Sequence, residues 1–472
     1  MREYFSRVSD RDLEFLEKVF GSRNVSVEEE ELIANSIDAF LGTFHKPEAV
    51  VWPEDAEQVG QLLKYANQRK IPVYARGSGT GLSGTVPIHG GIVVNMTKMN
   101  KIVEILERDL QVRVQPGIVY ERLNKQLEPY GLFFPPDPAS GSYCTVGGMV
   151  ACNASGLKAV KYGTTRDYVL GFQAVFADGS IRRLGTRTFK YSTGYDLVKM
   201  MIGSQGTLAI FTEISLRLRT LPEYAQTAVA FFPSIRSATE AIYDAVRRGL
   251  DIAAIEFLDK AMLHALSGYK GMELPEAEAM LLFEAHGVES GVKETMNRII
   301  SVLKNHEGFN IILAESEEDR ERLWNVRRGA YPATLRLAKI AMISDVIVPI
   351  SMLADAVEKA YEIGRKYGVK VSCMGHFGDG NIHAHWGLDE RSEKAVDILH
   401  KANAEYVEYA LSIGGAVSAE HGIGTEKKMF MKLQHPESYD LLLKIKRLLD
   451  PNDILAPGII FDVEEVLAES VG

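Results

Sequence analysis

Cysteine is scarce in this sequence of 472 residues: Cys144, Cys152 and Cys373 lie far apart and form no CxxC pattern. An odd number of thiols in so long a chain argues against a disulfide framework. An iron–sulfur cluster needs about four thiolates, which is more than this chain supplies. If the protein works with such a cluster, the cluster belongs to another chain.

Positive charge is also in short supply, because 63 acidic residues outnumber 53 Lys and Arg and give a formal net charge of −10. No basic stripe with interleaved aromatic residues occurs, so we expect no nucleic-acid partner. No apolar run reaches the roughly 18 residues of a membrane span, and the N-terminal MREYFSRVSDRDLEF lacks the apolar core of a signal peptide. We expect no transmembrane segment and a cytoplasmic protein, or one attached to a membrane only through a partner.

The composition itself is that of a globular protein, with 46% hydrophobic and 25% charged residues, and the length predicts two or three domains. We expect an N-terminal helical segment at 1–40, a first domain at 41–222 that ends on a proline, a second at 223–425, and a C-terminal segment at 426–472. In the second domain TAVAFFP predicts a strand and SATEAIYDAVRRG a helix, followed by a long helical stretch up to residue 305.

The stretch YARGSGTGLSG at residues 74–84 matches, in its GTGLSG, the GxGxxG pattern of a dinucleotide-binding Rossmann turn. That turn needs a strand before the glycines and a helix directly after them. The preceding residues, from HKPEAVVWP to KIPVYARG, predict strand, helix and strand, but TVPIHGG at 85–91 breaks any helix and leads into another strand at 92–94. The context therefore excludes an NAD site.

Glycines can instead present bare backbone N–H groups to a phosphate without a helix, because they permit positive φ angles and close approach. A glycine-rich surface loop is the alternative. A second stretch, PPDPASGSYCTVGGMVACNASGLKAVKYGTTRDYVLG at 135–171, has the small residues and hydroxyls needed where backbone approaches a large flat ligand. Together the two stretches favour ligand-binding loops.

Three motifs then occur in the order that a known family has. PVYARGSGTGLSG, PPDPASGSYCTVGGMVACNASG and GSQGTLAIFTEISLRL resemble the FAD domain of the vanillyl-alcohol oxidase, or p-cresol methylhydroxylase, type of flavoprotein. More narrowly, nearly the whole chain is similar to the D-lactate dehydrogenase and glycolate oxidase branch. The resemblance implies an α+β fold: a p-cresol methylhydroxylase-type FAD-binding domain of two α+β subdomains, a mixed α/β cap domain for the substrate, and a C-terminal helical segment that returns to the FAD domain.

The resemblance also implies which residues hold FAD, in extended form between the two subdomains. The segment around the pyrophosphate corresponds to Arg76, Gly77, Ser78, Gly79, Thr80, Gly81 and Ser83. The second segment corresponds to Pro136, Asp137, Thr145, Gly147, Gly148, Asn153, Ser155 and Gly156, and the third to Gly206, Thr207 and Ile210. Some relatives attach FAD covalently through a His in the pattern RSGGH. Because Thr80 stands at that position, we expect FAD to be bound non-covalently.

A second chemical signal is the histidine-rich GHFGDGNIHAHW, in which His376, His383 and His385 lie within one short segment. Imidazoles with a nearby carboxylate suit a divalent transition metal such as Zn²⁺ or Mn²⁺. His383 and His385 are two residues apart and share one face of a strand, and the GDGN turn can fold His376 back beside them. A zinc hydrolase is the alternative, although no HExxH occurs.

In the family that the sequence resembles, the matching pattern is GHxGDGNxH followed by EHG, which here is part of SAEHGIG. The resemblance implies that His376, His383 and Glu420 bind the metal and that His421 is the catalytic base. His385 departs from the pattern, since some relatives have Asn near the substrate. It is either a fourth ligand or a substrate contact.

A 2-hydroxy acid also needs a cation for its carboxylate, and the guanidinium of arginine fits best. In the charge-rich ERERLWNVRRGA, which composition alone assigns to a surface helix, the WxxR pattern of relatives corresponds to Arg327 as a substrate-binding, catalytic residue. Some relatives have a substrate-binding lysine just before the strand DVIVP. Here Ile343 and Ser344 precede it, which disfavours a second acidic group on the substrate.

These implications form one hypothesis: FAD-dependent oxidation of a small D-2-hydroxy acid, D-lactate or glycolate, to the 2-oxo acid. A divalent metal lowers the pKa of the hydroxyl, His421 takes the proton, and the hydride goes to flavin N5. With no NAD site and no cluster, electrons pass to an electron-transfer flavoprotein, a quinone or an iron–sulfur subunit, in a homo- or hetero-oligomer. The alternatives are a D-2-hydroxyglutarate-type dehydrogenase, a flavin electron-relay subunit of a larger complex, and the flavin-free hydrolase.

Overall fold

The computed structural model describes residues 4–40, 43–267, 273–334 and 336–468. They divide into two compact units, each with its own sheets and core. Unit one consists of Met1–Ser155, Thr164–Leu221 and Glu420–Gly472. Unit two consists of Gly156–Gly163 and Pro222–Ala419.

The limits of the units and the limits expected from the sequence differ in three places, the smallest being Pro222, which belongs to unit two. The structure groups residues 156–163 with unit two, and it groups residues 420–425 with unit one. The expected limit at residue 41 lies outside the described residues, as do 1–3 and 469–472 at the chain ends.

The strands and helices are numbered here in chain order. The strands are β1 Val25–Ser26, β2 Ala49–Val51, β3 Val73–Arg76, β4 Ile92–Asn95, β5 Ile102–Leu106, β6 Gln111–Val114, β7 Leu132–Phe133, β8 Val169–Val175, β9 Ile181–Gly185, β10 Ile210–Arg217, β11 Arg219–Thr220, β12 Tyr224–Phe232, β13 Ile252–Asp259, β14 Ala279–Gly287, β15 Phe309–Leu313, β16 Ile340–Ile343, β17 Val346–Ile347, β18 Lys370–Gly375 and β19 Asn381–Leu388. The helices are α1 Asp10–Phe20, α2 Glu29–Ala34, α3 Ala56–Arg69, α4 Tyr120–Leu127, α5 Val146–Cys152, α6 Ala159–Tyr162, α7 Leu197–Met201, α8 Ile235–Arg247, α9 Lys260–Leu266, α10 Glu289–Asn305, α11 Glu317–Thr334, α12 Leu353–Tyr367, α13 Glu393–Ser412, α14 Gly424–Lys427, α15 Met431–Gln434, α16 Tyr439–Leu449 and α17 Val463–Leu467.

The first sheet of unit one has the order β1-β2-β4-β3, and β2, β4 and β3 are parallel. Helix α3 connects β2 to β3 and begins after Asp55, whose carboxylate accepts a hydrogen bond from the backbone of Gln58 at 2.8 Å. It buries Val59, Leu62 and Ala66 against the sheet, at the spacing of one helix face. This confirms the predicted strand, helix and strand, and it directs the loops after β3 and β4 to one edge of the sheet.

The second sheet of unit one is antiparallel, with the order β5-β6-β10-β8-β9. The C-terminal segment packs on the first sheet, where the backbone of Val73 exchanges hydrogen bonds with Ile454 at 2.7 Å and Ala456 at 2.8 Å. The apolar residues Ile454 and Leu455 are 0% exposed and belong to the core of unit one. The apolar tail is therefore part of the fold.

Unit two is built on an antiparallel sheet with the order β15-β12-β14-β13-β18-β19-β16, and β17 also pairs with β19. The expectation of a long helical stretch up to residue 305 is wrong, because β13, α9 and β14 come before helix α10. Every residue of β13 and all but the last of β14 are buried. Strands covered on both faces lose the alternation of polar and apolar residues that marks a strand in a sequence.

One face of this sheet packs against α9 and α11, through a core that includes Leu258, Leu282 and Met374 from the strands and Met262 and Trp324 from the helices. Helices α8, α10 and α12 also contact the sheet. Among the described residues, no helix combines the length and the apolar character needed to cross a membrane.

Candidate active site

The glycine loop, residues 76–85, leaves the carboxyl end of β3 without forming a helix, as the sequence predicted. Asp38 holds its far end, because the carboxylate accepts hydrogen bonds from the backbone N–H groups of Gly84 at 2.9 Å and Thr85 at 3.0 Å. Burial raises the pKa of Asp38, and these hydrogen bonds oppose the rise. The loop is thereby held by unit one itself and offers a preformed backbone surface.

Gly77 and Gly79 are loop positions where neighbouring side chains occupy the space that a Cβ would take. A Cβ on Gly77 would lie 2.2 Å from Oγ1 of Thr145, and a Cβ on Gly79, where φ is +72°, would lie 2.1 Å from Nη2 of Arg76. The guanidinium of Arg76 therefore lies directly over the loop, where burial lowers its pKa. Bare backbone beside a half-buried cation is a chemical environment that fits a pyrophosphate.

The second predicted cofactor segment contacts the glycine loop at its beginning. The hydroxyl of Ser78 donates to the backbone carbonyl of Tyr143, and Thr145 packs on Gly77. Thr145 is also the N-cap of α5, because its hydroxyl accepts a hydrogen bond from the backbone of Gly148 at 3.3 Å. The start of α5 is thus fixed against the loop.

The third predicted segment joins the other two through Gln205, which was not among the predicted site residues. The backbone N–H of Gln205 donates to Ala151, near the end of α5, at 2.8 Å. Its side-chain nitrogen lies 3.2 Å from the hydroxyl oxygens of both Ser83 and Thr85, and its oxygen accepts from the backbone of Ile423 at 2.9 Å. The three predicted cofactor segments therefore converge in unit one.

The remaining predicted cofactor residues surround this point or fall at its margins. Pro136 and Asp137 lie in the connection from β7 to α5, and Asn153 ends α5 with φ +53°. Gly156 is the first residue of unit two, and the side chain of Ile210 lies in the core of unit one, so only its backbone can meet a ligand. The following are buried or half-buried in unit one: Thr80, Gly81, Gly147, Gly148, Ser155, Gly206 and Thr207.

The histidine-rich segment forms a hairpin in unit two, with β18 and β19 joined by the turn at 376–380. His383 and His385 lie on β19, two residues apart. The turn, completed by Gly380 with φ +93°, brings His376 beside His383, with ring centroids 5.4 Å apart and ring planes at 87°. This confirms the predicted shared strand and the predicted fold-back of His376.

A buried carboxylate on the neighbouring strand β13 backs this hairpin. Glu256 is 0% exposed, and its Oε1 lies 2.7 Å from Nδ1 of His376. Its Oε2 accepts a hydrogen bond from Nε of Arg327 at 2.6 Å. A carboxylate at Nδ1 fixes the tautomer that has its lone pair on Nε2, where a metal binds. One carboxylate thus orients both an imidazole and a guanidinium.

Arg327 and Arg328 are neighbours on α11 with different surroundings. Arg327 is 7% exposed, and its Nη1 lies 3.6 Å from the sulfur of Met374, whereas Arg328 is exposed and binds Glu321. Because α11 also buries Trp324 in the core of unit two, it is not a solvated surface helix. The guanidinium of Arg327 has further N–H groups that can serve a ligand carboxylate.

Asp345 is the second buried carboxylate at the hairpin. Its Oδ1 lies 3.8 Å from Nδ1 of His383 and accepts from the amide of Asn381 at 3.1 Å. Its Oδ2 accepts from the hydroxyl of Ser418 at 2.7 Å, and its backbone carbonyl from Ala419 at 3.0 Å. The donor set of unit two, two adjacent imidazoles each near a buried carboxylate, fits a divalent transition metal.

The later residues of the predicted centre belong to unit one, so the predicted ligands are divided: His376 and His383 lie in unit two, and Glu420 lies in unit one. In unit one, the hydroxyl of Ser155 donates to Oε2 of Glu420 at 3.3 Å. Nε2 of His421 lies 3.7 Å from Oε1 of Glu420. Glu420 therefore sits at the second predicted cofactor segment, and His421 lies next to Glu420.

Sequence reasoning missed four residues: Asp38, Gln205, Glu256 and Asp345. A signal existed for Glu256, because it is the only charged residue in the apolar run IAAIEFL, and an isolated charge in a buried strand needs a partner. The same signal existed for Asp345, which is the only charged residue in IAMISDVIVPI. Asp38 and Gln205 offer no such contrast.

Comparisons with known proteins support this architecture. Residues 47–185 match the model of an FAD binding domain, and residues 221–460 match that of the C-terminal domain of FAD linked oxidases. The chain is 35% identical over 451 residues to a glycolate oxidase subunit, GlcD, of Bacillus subtilis, which covers 95% of this chain and 96% of that protein. It is 35% identical over 424 residues to a mitochondrial cytochrome D-lactate dehydrogenase of Arabidopsis thaliana, which covers 88% of this chain and 74% of that protein.

A solved structure of p-cresol methylhydroxylase has the same fold, with a TM-score of 0.79 and 18% sequence identity over 97% of this chain and 98% of that chain. The predicted α+β fold with a p-cresol methylhydroxylase-type FAD-binding domain is confirmed, as is the predicted family.

Proposed function

This chain belongs to the FAD-linked oxidase family, and we propose that it oxidises a small D-2-hydroxy acid, D-lactate or glycolate, to the 2-oxo acid. The substrate class is supported by the names of the relatives, a glycolate oxidase subunit and a D-lactate dehydrogenase. The observation that carries the proposal is the contact of one buried carboxylate, Glu256, with both Arg327 and His376. A cation for a carboxylate beside a metal-binding imidazole is what an acid with an adjacent hydroxyl requires.

FAD is held non-covalently on the three cofactor segments in this proposal, since Thr80 offers no covalent attachment. The loop amides and Arg76 bind the pyrophosphate, and the bare positions Gly77 and Gly79 let it approach the backbone. When bound, FAD supplies the two-electron acceptor that the oxidation requires. Gln205 keeps the loop and the His421 segment together through its side-chain amide.

A divalent cation, Zn²⁺ or Mn²⁺, is held by His376, His383 and Glu420 in this proposal. Glu256 orients the imidazole of His376 through a hydrogen bond, as carboxylates commonly do for metal-binding histidines, and Asp345 lies 3.8 Å from Nδ1 of His383. When bound, such a cation would supply the positive charge that lowers the pKa of the substrate hydroxyl. His385, which is 4% exposed on the same strand as His383, contacts the substrate.

Arg327 and His421 interact with the carboxylate and the hydroxyl of the substrate, respectively. Arg327 binds the carboxylate through the N–H groups that Glu256 leaves available, and Glu256 keeps the guanidinium in one orientation. His421 accepts the hydroxyl proton as general base. Removing that proton prepares the carbon-bound hydrogen for transfer.

The electron acceptor is not NAD in this proposal, because the glycine loop is followed by a strand and has no helix for a dinucleotide turn. The three cysteines are free thiols and are too few for a cluster of their own. An electron-transfer flavoprotein, a quinone or an iron–sulfur subunit therefore takes the electrons, in a homo- or hetero-oligomer that is cytoplasmic or peripheral to a membrane.

The test is anaerobic reduction of the bound flavin, which is monitored through the decrease in the visible absorbance of the flavin. D-lactate and glycolate are the substrates, and L-lactate is the comparator. We expect Arg327→Met to raise the KM for D-lactate at least about 30-fold, because losing a buried charged hydrogen bond costs about 2–5 kcal/mol. The matched control is the exposed neighbour: Arg328→Met should leave the KM unchanged. A yellow protein that no 2-hydroxy acid reduces would contradict the proposal, and equal effects of the two variants would remove Arg327 from its role.

A further inference from the structure

Gln205 occupies an unusual position for a residue with a side chain. Its backbone has φ +50°, in the left-handed region that favours glycine, and its side chain is 4% exposed. The next residue, Gly206, also has a positive φ of +77°. A non-glycine residue kept in such a conformation points to a role of its side chain.

The side-chain amide of Gln205 uses all four of its hydrogen-bonding positions. Its nitrogen lies 3.2 Å from the hydroxyl oxygens of Ser83 and Thr85, in the glycine loop. Its oxygen accepts from the backbone N–H groups of Ile423 at 2.9 Å and Gly424 at 3.0 Å. An amide has two N–H donors and two acceptor lone pairs, so its capacity is filled.

The two partners of this amide are the two parts of unit one that the proposed chemistry needs together. The glycine loop is the proposed pyrophosphate cradle, and residues 422–424 directly follow His421. The contact is tight: a Cβ on Gly422 would lie 2.7 Å from Nε2 of Gln205, and a Cβ on Gly424 would lie 1.9 Å from the carbonyl oxygen of Ser83. The positions facing Gln205 and Ser83 are therefore restricted to glycine.

We propose that Gln205 is a positioning residue that fixes residues 421–424, which include His421, against the glycine loop. FAD retention and the placement of the proton acceptor then depend on one buried amide, although Gln205 itself touches no reacting atom. This inference rests on the proposed role of His421 as base. The part of the inference that concerns FAD retention requires only that the glycine loop holds FAD.

The test starts from the purified holoenzyme and the variant Gln205→Leu, which keeps the bulk and removes all four hydrogen bonds. We expect the variant to release FAD at least about tenfold faster than the wild type, because buried backbone and hydroxyl groups lose their hydrogen-bond partners. The release is monitored through the fluorescence of free flavin. We also expect the kcat of flavin reduction by D-lactate to fall more than the KM changes. A residue that only stabilises the fold would lower the melting temperature without this split.

Two further variants sharpen the test. Gln205→Glu keeps an acceptor for both backbone N–H groups, and the hydroxyls of Ser83 and Thr85 can rotate to donate to it, so it should retain FAD nearly as well as the wild type. Ser204→Ala is the matched control, because this neighbouring hydroxyl is buried and makes no hydrogen bond within the described residues. Its FAD release should equal that of the wild type.

If Gln205→Leu does not fold, Thr85→Val tests the loop side of the amide, because Thr85 accepts from Gln205 and is not among the predicted FAD-binding residues, and it should still speed FAD release. Unchanged FAD release in every folded variant would overturn the inference. A wild-type enzyme that holds FAD but is not reduced by any D-2-hydroxy acid would contradict the proposed function, while the release measurement still judges Gln205.

Discussion

Glu256 on β13 and Glu284 on β14 are two fully buried glutamates on neighbouring strands, and they invite comparison. Glu284 pairs across the strands with Ala254, which puts both carboxylates on the same face of the unit two sheet. Each glutamate contacts one histidine from the sheet region and one arginine from helix α11. Their surroundings nevertheless give them different tasks.

Glu284 is fully buried, and in the part of the chain that the structure describes its carboxylate contacts only structural residues of unit two. Its oxygens accept hydrogen bonds from Thr227 at 2.7 Å, Trp324 at 2.5 Å and Arg320 at 3.1 Å, and one oxygen lies 2.7 Å from Nε2 of His286. Burial alone would raise the pKa of Glu284, but the hydrogen bonds from His286, Trp324 and Thr227 outweigh it and lower the pKa to about 2. This carboxylate ties α11 to two strands.

Glu256 shares its two oxygens between Arg327 and His376, both of which the proposed chemistry uses. The difference teaches that a buried ion pair is not in itself a sign of function. What separates the two sites is which residues the carboxylates hold: Glu256 contacts Arg327 and His376, to which the proposed function gives roles, whereas the partners of Glu284 complete a structural network.

The largest expected difference between the two glutamates appears when each carboxylate is neutralised in turn. We expect Glu256→Gln to slow anaerobic flavin reduction by about 10–100-fold, because glutamine has one oxygen in place of the two that separately contact His376 and Arg327. One partner then meets an NH2 group, and the orientation of a proposed metal ligand is lost. It should also lower the bound divalent metal measured by elemental analysis. Glu284→Gln should change the rate and the metal content little.

Equal losses in the Glu256 and Glu284 variants would contradict this prediction. If the two variants lost flavin reduction and metal equally while both remained folded, Glu256 would have no special part in the chemistry. Equal loss would instead assign both glutamates to the stability of the sheet.

A smaller effect sharpens the structural side of the comparison. Because the pKa of Glu284 is lowered from 4.5 to about 2 in the folded protein, its stabilising effect is fully present above pH 4.5 and disappears as the pH falls through 2. Glu284→Gln should therefore reduce the urea midpoint at neutral pH, and the gap to the wild type should narrow below pH 4.5. A gap that stays constant over this range would show that the carboxylate charge contributes nothing.

Much of the local structure could be predicted from the sequence. The strand, helix and strand before the glycine loop, the missing helix after it and the shared strand of His383 and His385 all follow from short-range periodicity and turn residues. Strands β13 and β14 could not be predicted, because burial on both faces removes the alternation that distinguishes them from helices.

The candidate site shows the same division. Residues that carry a motif, such as the histidines, were identified, but the residues that orient them were not. Glu256 lies 120 positions from His376, and Gln205 lies 218 positions from Ile423. Such partners are brought together only by the sheet order and by the return of the chain to unit one, which single-sequence periodicity does not contain.

Metal assistance by the histidines of the β18–β19 hairpin is the central feature of the proposed oxidation. The direct measurement is the rate of anaerobic flavin reduction by D-lactate or glycolate before and after divalent metal is removed from the FAD-loaded enzyme with a chelator. We predict that the rate collapses and that Zn²⁺ or Mn²⁺ restores it while FAD stays bound. A metal-free enzyme that keeps its full rate would contradict the account.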